Sequence, residues 1–310
     1  MKIAYLILLH DNPQLLTRTI GTLSADDCGF IVHVDRKSAI REFSLPTRNN
    51  VSFCEPRIPV YWSEFSQVEA TLLLLRQALA CPAKYEYFVF LQGATYPLRS
   101  GRYVQQFLQM NCGLEFMCLV KMPAPGYPLS KINLIRYPSD KPARRLAAKA
   151  MARVGLAHRD YRRHLGNLDP YSGHACWALS REACQYILEF VRTNPRVTEY
   201  FRKVFVPEES FFQTVLGNSP FMPRVRRNFV YADWSKSKGG PHPAALSDEH
   251  VDFFEAREKV WTEDEWGPGE MLFARKFSDK RLDLVDRVDR MIIRKERSVH
   301  AASPLPAQAL

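Results

Sequence analysis

The chain predicts an α/β fold: a mainly parallel central sheet flanked by helices, with a basic helical insertion. Three observations lead there. Largely continuous apolar runs of strand length, Ile3–Leu9, Phe30–Val34 and Tyr85–Leu91, mark strands buried on both faces. Helical periodicity over 13–23 and 64–80 separates them, as parallel crossovers require. Each run stops at a polar cluster, His10-Asp11-Asn12-Pro13, Asp35-Arg36-Lys37-Ser38 and Gln92-Gly93-Ala94-Thr95. In parallel sheets ligands gather beyond such strand ends.

Taken in order, Ile3–Leu9 reads as a buried strand. Its run of about seven residues is short for a secretory leader, and no small-residue cleavage site follows. Leu15, Leu16, Ile20 and Leu23 give the first helix its apolar face. Val51–Phe53 is a short third strand, and Val68, Leu72, Leu75 and Leu79 define the long helix over 64–80. A fourth strand spans Tyr85–Leu91 and a fifth Glu115–Val120. Trp177–Leu179 reads as a further strand, followed by a helix over Arg181–Arg192. In Phe205–Gly217, Pro207 suits a first helical position, Glu208 and Glu209 fall in the first turn, and Gly217 supplies a stop. First-turn acids serve stability alone in many helices, so this local pattern leaves catalysis and stability both open. A basic amphipathic helix is expected over Asp283–Arg297, covering the sheet or touching a membrane, with a disordered tail over 298–310. The domain reading is one unit over 1–297, a nucleotide-sugar-binding half at 1–120 and an acceptor and catalytic half at 121–297.

Composition narrows the class. Of 310 residues, 46% are hydrophobic and 25% charged, ordinary for a soluble globular chain. No stretch nears the roughly 20 apolar residues of a membrane span, so a cytoplasmic protein with peripheral contact at the inner membrane face left open is expected. The net charge of +10 calls for an anionic partner. The segment 141–163, with Arg144, Arg145, Lys149, Arg153, Arg159, Arg162 and Arg163 among apolar residues, suits a solvated helix face or an anionic membrane. Sparse aromatics there argue against nucleic acid. Seven cysteines without a CxxC pair read as reduced thiols, and no Cys/His cluster has metal-ligand spacing. Neither GxGxxG nor GxxxxGK[ST] is present.

The candidate residues from the strand ends are His10, Asp11, Asp35, Arg36, Gln92 and Thr95. His10 is equally read as a loop cap and Asp35 as a helix cap. The Gly173-His174 step suggests a close backbone approach to substrate, or else a core histidine.

Downstream pieces complete a pattern: LILLHDNP, HVDRKS (33–38), VYWSEFSQVEATLLLL (60–75), FLQGATYPLRS (90–100), PEESFFQTVL, DWS followed by HP at 242–243, and LFARKF. In this order and spacing the chain resembles the core-2/I-branching β-1,6-N-acetylglucosaminyltransferase and peptide O-xylosyltransferase family, glycosyltransferase family 14. The resemblance runs from Ile3 to about Asp279. It implies a GT-A-like fold and an inverting transfer from a UDP-sugar, N-acetylglucosamine or xylose foremost, to a glycan or lipid-linked saccharide. It further implies that no metal or other cofactor is needed, in keeping with the absence of a DxD; the nearest acidic cluster is Glu263-Asp264-Glu265. Glu209 then takes the family's general-base position, with Glu208 at the variable place before it. Arg275 and Lys276 take the place of the metal at the leaving phosphate. Asp35 falls near the uridine. Thr95 stands where the family carries an acid beside the donor, a departure that raises the alternative of a weakly active or inactive sugar-binding homologue. Trp62, Glu208, His174 and Trp234 are candidates for the acceptor or sugar.

Overall fold

The computed structural model describes residues 1–43, 49–135, 158–235 and 242–302, with the isolated helical positions 143, 146 and 150. Strands β1 (Ile3–Leu9), β2 (Cys28–Val34), β3 (Val51–Phe53) and β4 (Tyr87–Gln92) are parallel, in the spatial order β3-β2-β1-β4. The register sets Leu9 beside Val34 and Leu8 beside Gln92, so His10, Asp35 and Gln92 come to one edge. Beyond β5 (Thr95–Pro97), the sheet is extended by β6 (Glu115–Met117) and by β9 (Trp177–Ser180), which runs antiparallel to β4 and β6. β7 (Val120–Lys121) and β8 (Tyr171–Ser172) form a separate antiparallel pair, and β10 (Val225–Arg226) closes the main sheet beside β6. The expected fifth strand over Glu115–Val120 is therefore split, with Val120 in a different sheet.

The uninterrupted apolar character of β1 follows from its having two cores. Ala4, Leu6 and Leu8 face a cluster with helix α2 (Ser66–Ala80) and the helix Arg181–Thr193. Ile3, Tyr5, Ile7 and Leu9 face a second cluster with α1 (Pro13–Leu23) and α3 (Gly101–Met110). A strand with both faces buried has no position for a polar alternation.

A third core underlies a second, smaller sheet. β11 (Val230–Ala232) lies parallel to β14 (Phe273–Arg275), which lies antiparallel to β5. The helices Asp248–Glu255 and Leu282–Ala302 cover this small sheet through Val251, Phe254, Leu284, Val285, Val288, Met291 and Ile292. Arg287 clamps the two helices, reaching Asp248, Asp252 and Glu255. The terminal helix thus covers a sheet, one of its two expected roles, and it continues to Ala302. Residues 298–302, expected in a disordered tail, are helical; 303–310 lie outside the described residues. Of the basic segment 141–163, most also lies outside them. Arg159, which is described, stacks on Tyr200 with 4.0 Å from its guanidinium carbon to the ring centroid and donates to the carbonyls of Tyr200 and Lys203. No helix among the described residues is long and apolar enough to cross a membrane.

Residues from the two ends of the chain are sewn together at the start of α1. Asn12, at φ 60°, makes no side-chain cap to its own helix. Asp279 supplies the cap across the fold, its carboxylate accepting from Gln14 N–H at 3.0 Å and Leu15 N–H at 2.8 Å, while Asn12 Oδ1 accepts from Asp279 N–H at 2.9 Å. A carboxylate at a helix N-terminus satisfies orphan donors and opposes the helix dipole. Replacing Asp279 by Ala is expected to lower unfolding stability by roughly 1–2 kcal/mol. Urea denaturation checks this; an unchanged midpoint would show that the cap is dispensable.

Candidate functional site

The expected single helix over Phe205–Gly217 is two pieces. Pro207–Glu209 forms a 3₁₀ turn, Ser210 breaks the path at φ −143°, and the α-helix begins at Phe211. The reason lies in β8 and the loop after it. Inside a helix the Glu209 carbonyl would accept from the N–H four residues on. Here it accepts instead from the Gly173 N–H and the Ser172 hydroxyl, both at 2.9 Å. The side chain of Gln213 reaches the same loop, donating to the His174 carbonyl at 2.7 Å. Glu208 and Glu209 consequently sit in a turn pinned from outside rather than in the first turn of an α-helix.

Entry to the turn is also unusual. Val206 adopts a left-handed φ of 51°, a conformation costly for a β-branched residue, and its N–H donates to Ser63 O at 3.3 Å. Ser63 itself has φ 60°. A second tie runs from Gln67, on α2, whose amide donates to Glu208 Oε1.

The two glutamates separate by burial. Glu208 is 7% exposed, and its Oε2 has no hydrogen-bond partner. Burial, reinforced by the adjacent Glu209, pushes its carboxyl up to about 8, so it is largely protonated at neutral pH. Glu209 keeps a 30% exposed side chain. Crowding raises its proton affinity, against the pull of Lys131 and Arg275. Lys131 Nζ stands 3.9 Å from Glu209 Oε2.

Arg275 ends β14 and pairs in register with Thr95 on β5 and Ala232 on β11. Neither Arg275 nor Lys276 forms an ion pair among the described residues. Asp279 and Glu270, the acids nearest in sequence, are spent elsewhere: Asp279 on α1, Glu270 on Arg99 at 3.0 Å and Tyr103 at 2.9 Å. The Lys276 ammonium is depressed by burial and by Arg275, and held up by Asp11. Arg275 also acts on Glu208, Glu209, His174 and His242, which gathers these groups into one electrostatic unit.

Aromatic rings border that unit. Trp62, 49% exposed, meets His242 edge-on with ring centroids 5.2 Å apart. Trp234, 41% exposed, lies 6.0 Å from His174, which in turn contacts Trp266 at 4.6 Å. His174 is pushed down to about 4 by burial and by the cations Arg275, Arg227 and Lys131, so its imidazole is neutral. The tightness at Gly173 has a structural cause: an added Cβ would lie 1.9 Å from the Cys118 carbonyl oxygen. That close approach is to the backbone of the loop between β6 and β7.

The strand-end candidates divide. His10 and Arg36 are exposed and Gln92 half-buried. Asp35 is buried, and burial alone would raise it, but hydrogen bonds from Lys37 and from the Val60 N–H outweigh that and hold it low. Its carboxylate braces the loop after β2. Phe277 N–H donates to Ala94 O at 2.9 Å, and with the Lys276–Asp11 attraction this joins the strand-end set to Arg275. Of the acidic cluster, Glu263 and Asp264 end β12 (Trp261–Asp264), which pairs with β13 (Gly267–Glu270), Glu265 lies in the turn between them, and Asp264 binds Arg227 at 3.0 Å. Among the described residues no three His, Cys, Asp or Glu side chains gather as a metal-holding group. All seven cysteines are free thiols.

Sequence reasoning missed Lys131, Gln213, Trp266 and the particular role of Gln67. Gln67 and Gln213 lie inside quoted motifs, which was a usable signal; Lys131 and Trp266 carried none.

A family model described as Core-2/I-branching enzyme matches residues 3–256. Among curated proteins, a sheep β-1,3-galactosyl-O-glycosyl-glycoprotein β-1,6-N-acetylglucosaminyltransferase 3 is 24% identical over 227 residues, 71% of this chain and 48% of its own length. Rat xylosyltransferase 2 is 24% identical over 252 residues, 77% of this chain and 27% of its own. The chain thus spans about half, or less, of these relatives. Among solved structures, apo mouse xyloside xylosyltransferase 1 aligns at a TM-score of 0.37 and 11% identity, covering 88% of this chain and 97% of that one.

The buried Glu208 carboxyl has a consequence for stability. Its proton affinity in the fold lies near 8 against an ordinary 4.5, so between those values the native state holds a proton the unfolded chain has released. Stability from this group is therefore full at low pH and falls as pH rises through that window. The melting temperature of the native sequence should drop more than that of Glu208→Gln between about pH 5 and about pH 9. Parallel melting profiles would contradict a neutral Glu208.

Proposed function

The chain belongs to the Core-2/I-branching enzyme family, and on that premise we propose that it is an inverting glycosyltransferase that moves N-acetylglucosamine or xylose from a UDP-sugar to a saccharide hydroxyl. The observation that carries this reading is one part-exposed carboxylate, Glu209, in the field of two cations, Arg275 and Lys276, that form no ion pair among the described residues.

In this mechanism the acceptor oxygen attacks the anomeric carbon from the face opposite the UDP. Glu209 takes the proton of that hydroxyl as the new C–O bond forms, and its crowded setting makes it a stronger base than an exposed glutamate. The bond from the anomeric carbon to the phosphate oxygen breaks, and UDP departs with the electron pair. Arg275 and Lys276 stabilise the charge that grows on the β-phosphate, in the role a divalent ion fills elsewhere. One displacement inverts the anomeric centre and gives a β-linked product, so no covalent glycosyl-enzyme is needed. Lys131 keeps Glu209 ionised until the proton moves. The exposed faces of Trp62 and Trp234 suit the apolar faces of sugar rings.

A panel of UDP-sugars assayed for UDP release tests the reading. Release with UDP-N-acetylglucosamine or UDP-xylose is expected, and none with any donor would favour a binding homologue. Glu209→Gln should reduce kcat by about 10²–10⁴-fold while UDP binding is retained; retained turnover would remove Glu209 from the base role. EDTA should leave the rate unchanged, and a strict metal requirement would overturn the part given to Arg275 and Lys276.

A further inference from the structure

Leu134 and His158 meet across an isolated antiparallel bridge, and the Arg159 N–H donates to the Asn133 carbonyl at 2.7 Å. The chain on either side of 136–157 is thus closed at one neck. A cavity of about 650 Å³ opens there, walled by Ile135 and Arg159 from the two sides of the neck and by residues of the short helices Arg162–Leu165 and Pro195–Phe201. Its charge is one-sided. Arg159, Arg163, Arg196 and Lys203 line it against a single acid, Glu199, which already stands 3.3 Å from Arg202 Nε. Arg163 meets Asp160 at 3.7 Å, an exposed pair of little worth in water. Arg196 and Lys203 form no ion pair among the described residues. The Arg159 guanidinium is fixed in place by the Tyr200 ring and by the carbonyls of Tyr200 and Lys203, both at 3.1 Å. Ile135, Pro195 and the Tyr200 ring supply an apolar part of the wall.

Cations and apolar surface in one concavity call for an anion attached to hydrocarbon. The chain between the two sides of the neck favours a lipid over a soluble phosphate ester. Ala143, Leu146 and Ala150 are helical and exposed, Leu146 at 71%. Spacings of three and four put them on one helix face, and Arg144, Arg145, Lys149 and Arg153 accompany them in sequence. An apolar helix face amid basic residues is the pattern of a helix lying in a membrane interface.

We propose that this cavity is a binding site for the phosphate of an anionic lipid headgroup, and that it seats the protein on a bilayer. The inference does not depend on the donor reading. It bears on the reaction through one short helix, Ser130–Asn133. On the cavity side the Tyr200 hydroxyl donates to the Ile132 carbonyl at 2.9 Å; on the other, Lys131 Nζ stands 3.9 Å from Glu209 Oε2. A bilayer seated at the cavity is linked through that single turn to Glu209, an arrangement that suits a lipid-linked saccharide as acceptor.

Flotation of the full chain with vesicles tests the site, using phosphatidylcholine alone and an equal mixture of phosphatidylcholine and phosphatidylglycerol. The native chain should bind the mixed vesicles and not the neutral ones. Each basic side chain near an anionic leaflet is worth about fivefold in partitioning. Arg196→Gln with Lys203→Gln should therefore weaken binding to mixed vesicles by roughly tenfold or more. Arg290→Gln with Arg294→Gln removes the same charge from exposed positions of the terminal helix, and should cost less than about threefold. Equal losses in the two double variants would reduce the effect to diffuse charge and overturn the site, as would native binding that does not distinguish the two vesicle types. Calorimetric titration with glycerol phosphate, a headgroup without acyl chains, separates the sources. Saturable binding of glycerol phosphate by a native chain that ignores the mixed vesicles would overturn the lipid assignment.

Discussion

The site depends on who satisfies the Glu209 carbonyl. In a continuous helix that oxygen belongs to the helix; here the Gly173 N–H and the Ser172 hydroxyl take it first. The theft ends the 3₁₀ turn at Glu209, forces Ser210 out of helical geometry and starts the α-helix one residue later. It also places the two glutamates differently. Glu208 is buried where Gln67 of α2 meets it, and Glu209 stays part-exposed beside Lys131. Gly173 can serve only because it has no side chain, since the Cys118 carbonyl occupies the space a Cβ would need. A packing constraint between two loop backbones is thus converted into the orientation of a carboxylate.

Charge is distributed on the same plan. Glu270 is committed to Arg99, Asp264 to Arg227, and Asp279 to the cap of α1. Those assignments consume the acids that stand nearest to Arg275 and Lys276 in sequence. What remains is a positive end to β14, close enough to Glu208, Glu209, His174 and His242 to alter all four. Desolvation keeps Glu208 and His174 neutral, so the local field comes from Arg275, Lys276, Lys131 and Glu209. The net charge of +10 counted along the chain says nothing of this; only the pairing of individual acids does.

Legibility followed sequence distance. Strands β1, β2 and β4 were readable because burial on both faces leaves an uninterrupted apolar run, and α1 because its apolar spacing is local. The split of Glu115–Val120 between two sheets was not, since a strand of three residues and one of two carry too little pattern. Glu209, Arg275 and Lys276 stood out through ordered motifs. Lys131 did not, because nothing in PLSKINL distinguishes a lysine that meets a carboxylate 78 positions away from a solvated one. Asp35 carried two readings at its strand end, a ligand contact and a structural cap, and its oxygens accept from Lys37 and the Val60 N–H.

By itself the sequence determined the α/β class, the order of the main elements and the short list of ionisable residues that matter. These follow from hydrophobic periodicity and from motifs contained within a few residues. Tertiary structure alone decided which glutamate is buried and which accessible, which cations form no ion pair among the described residues, and that Thr95 pairs with Arg275 in register. Those outcomes depend on hydrogen bonds and burial contributed by residues far apart in the chain: Gln67 to Glu208, Ser172 to Glu209, Thr95 to Arg275. No local pattern encodes a partner that arrives only when the sheet has formed.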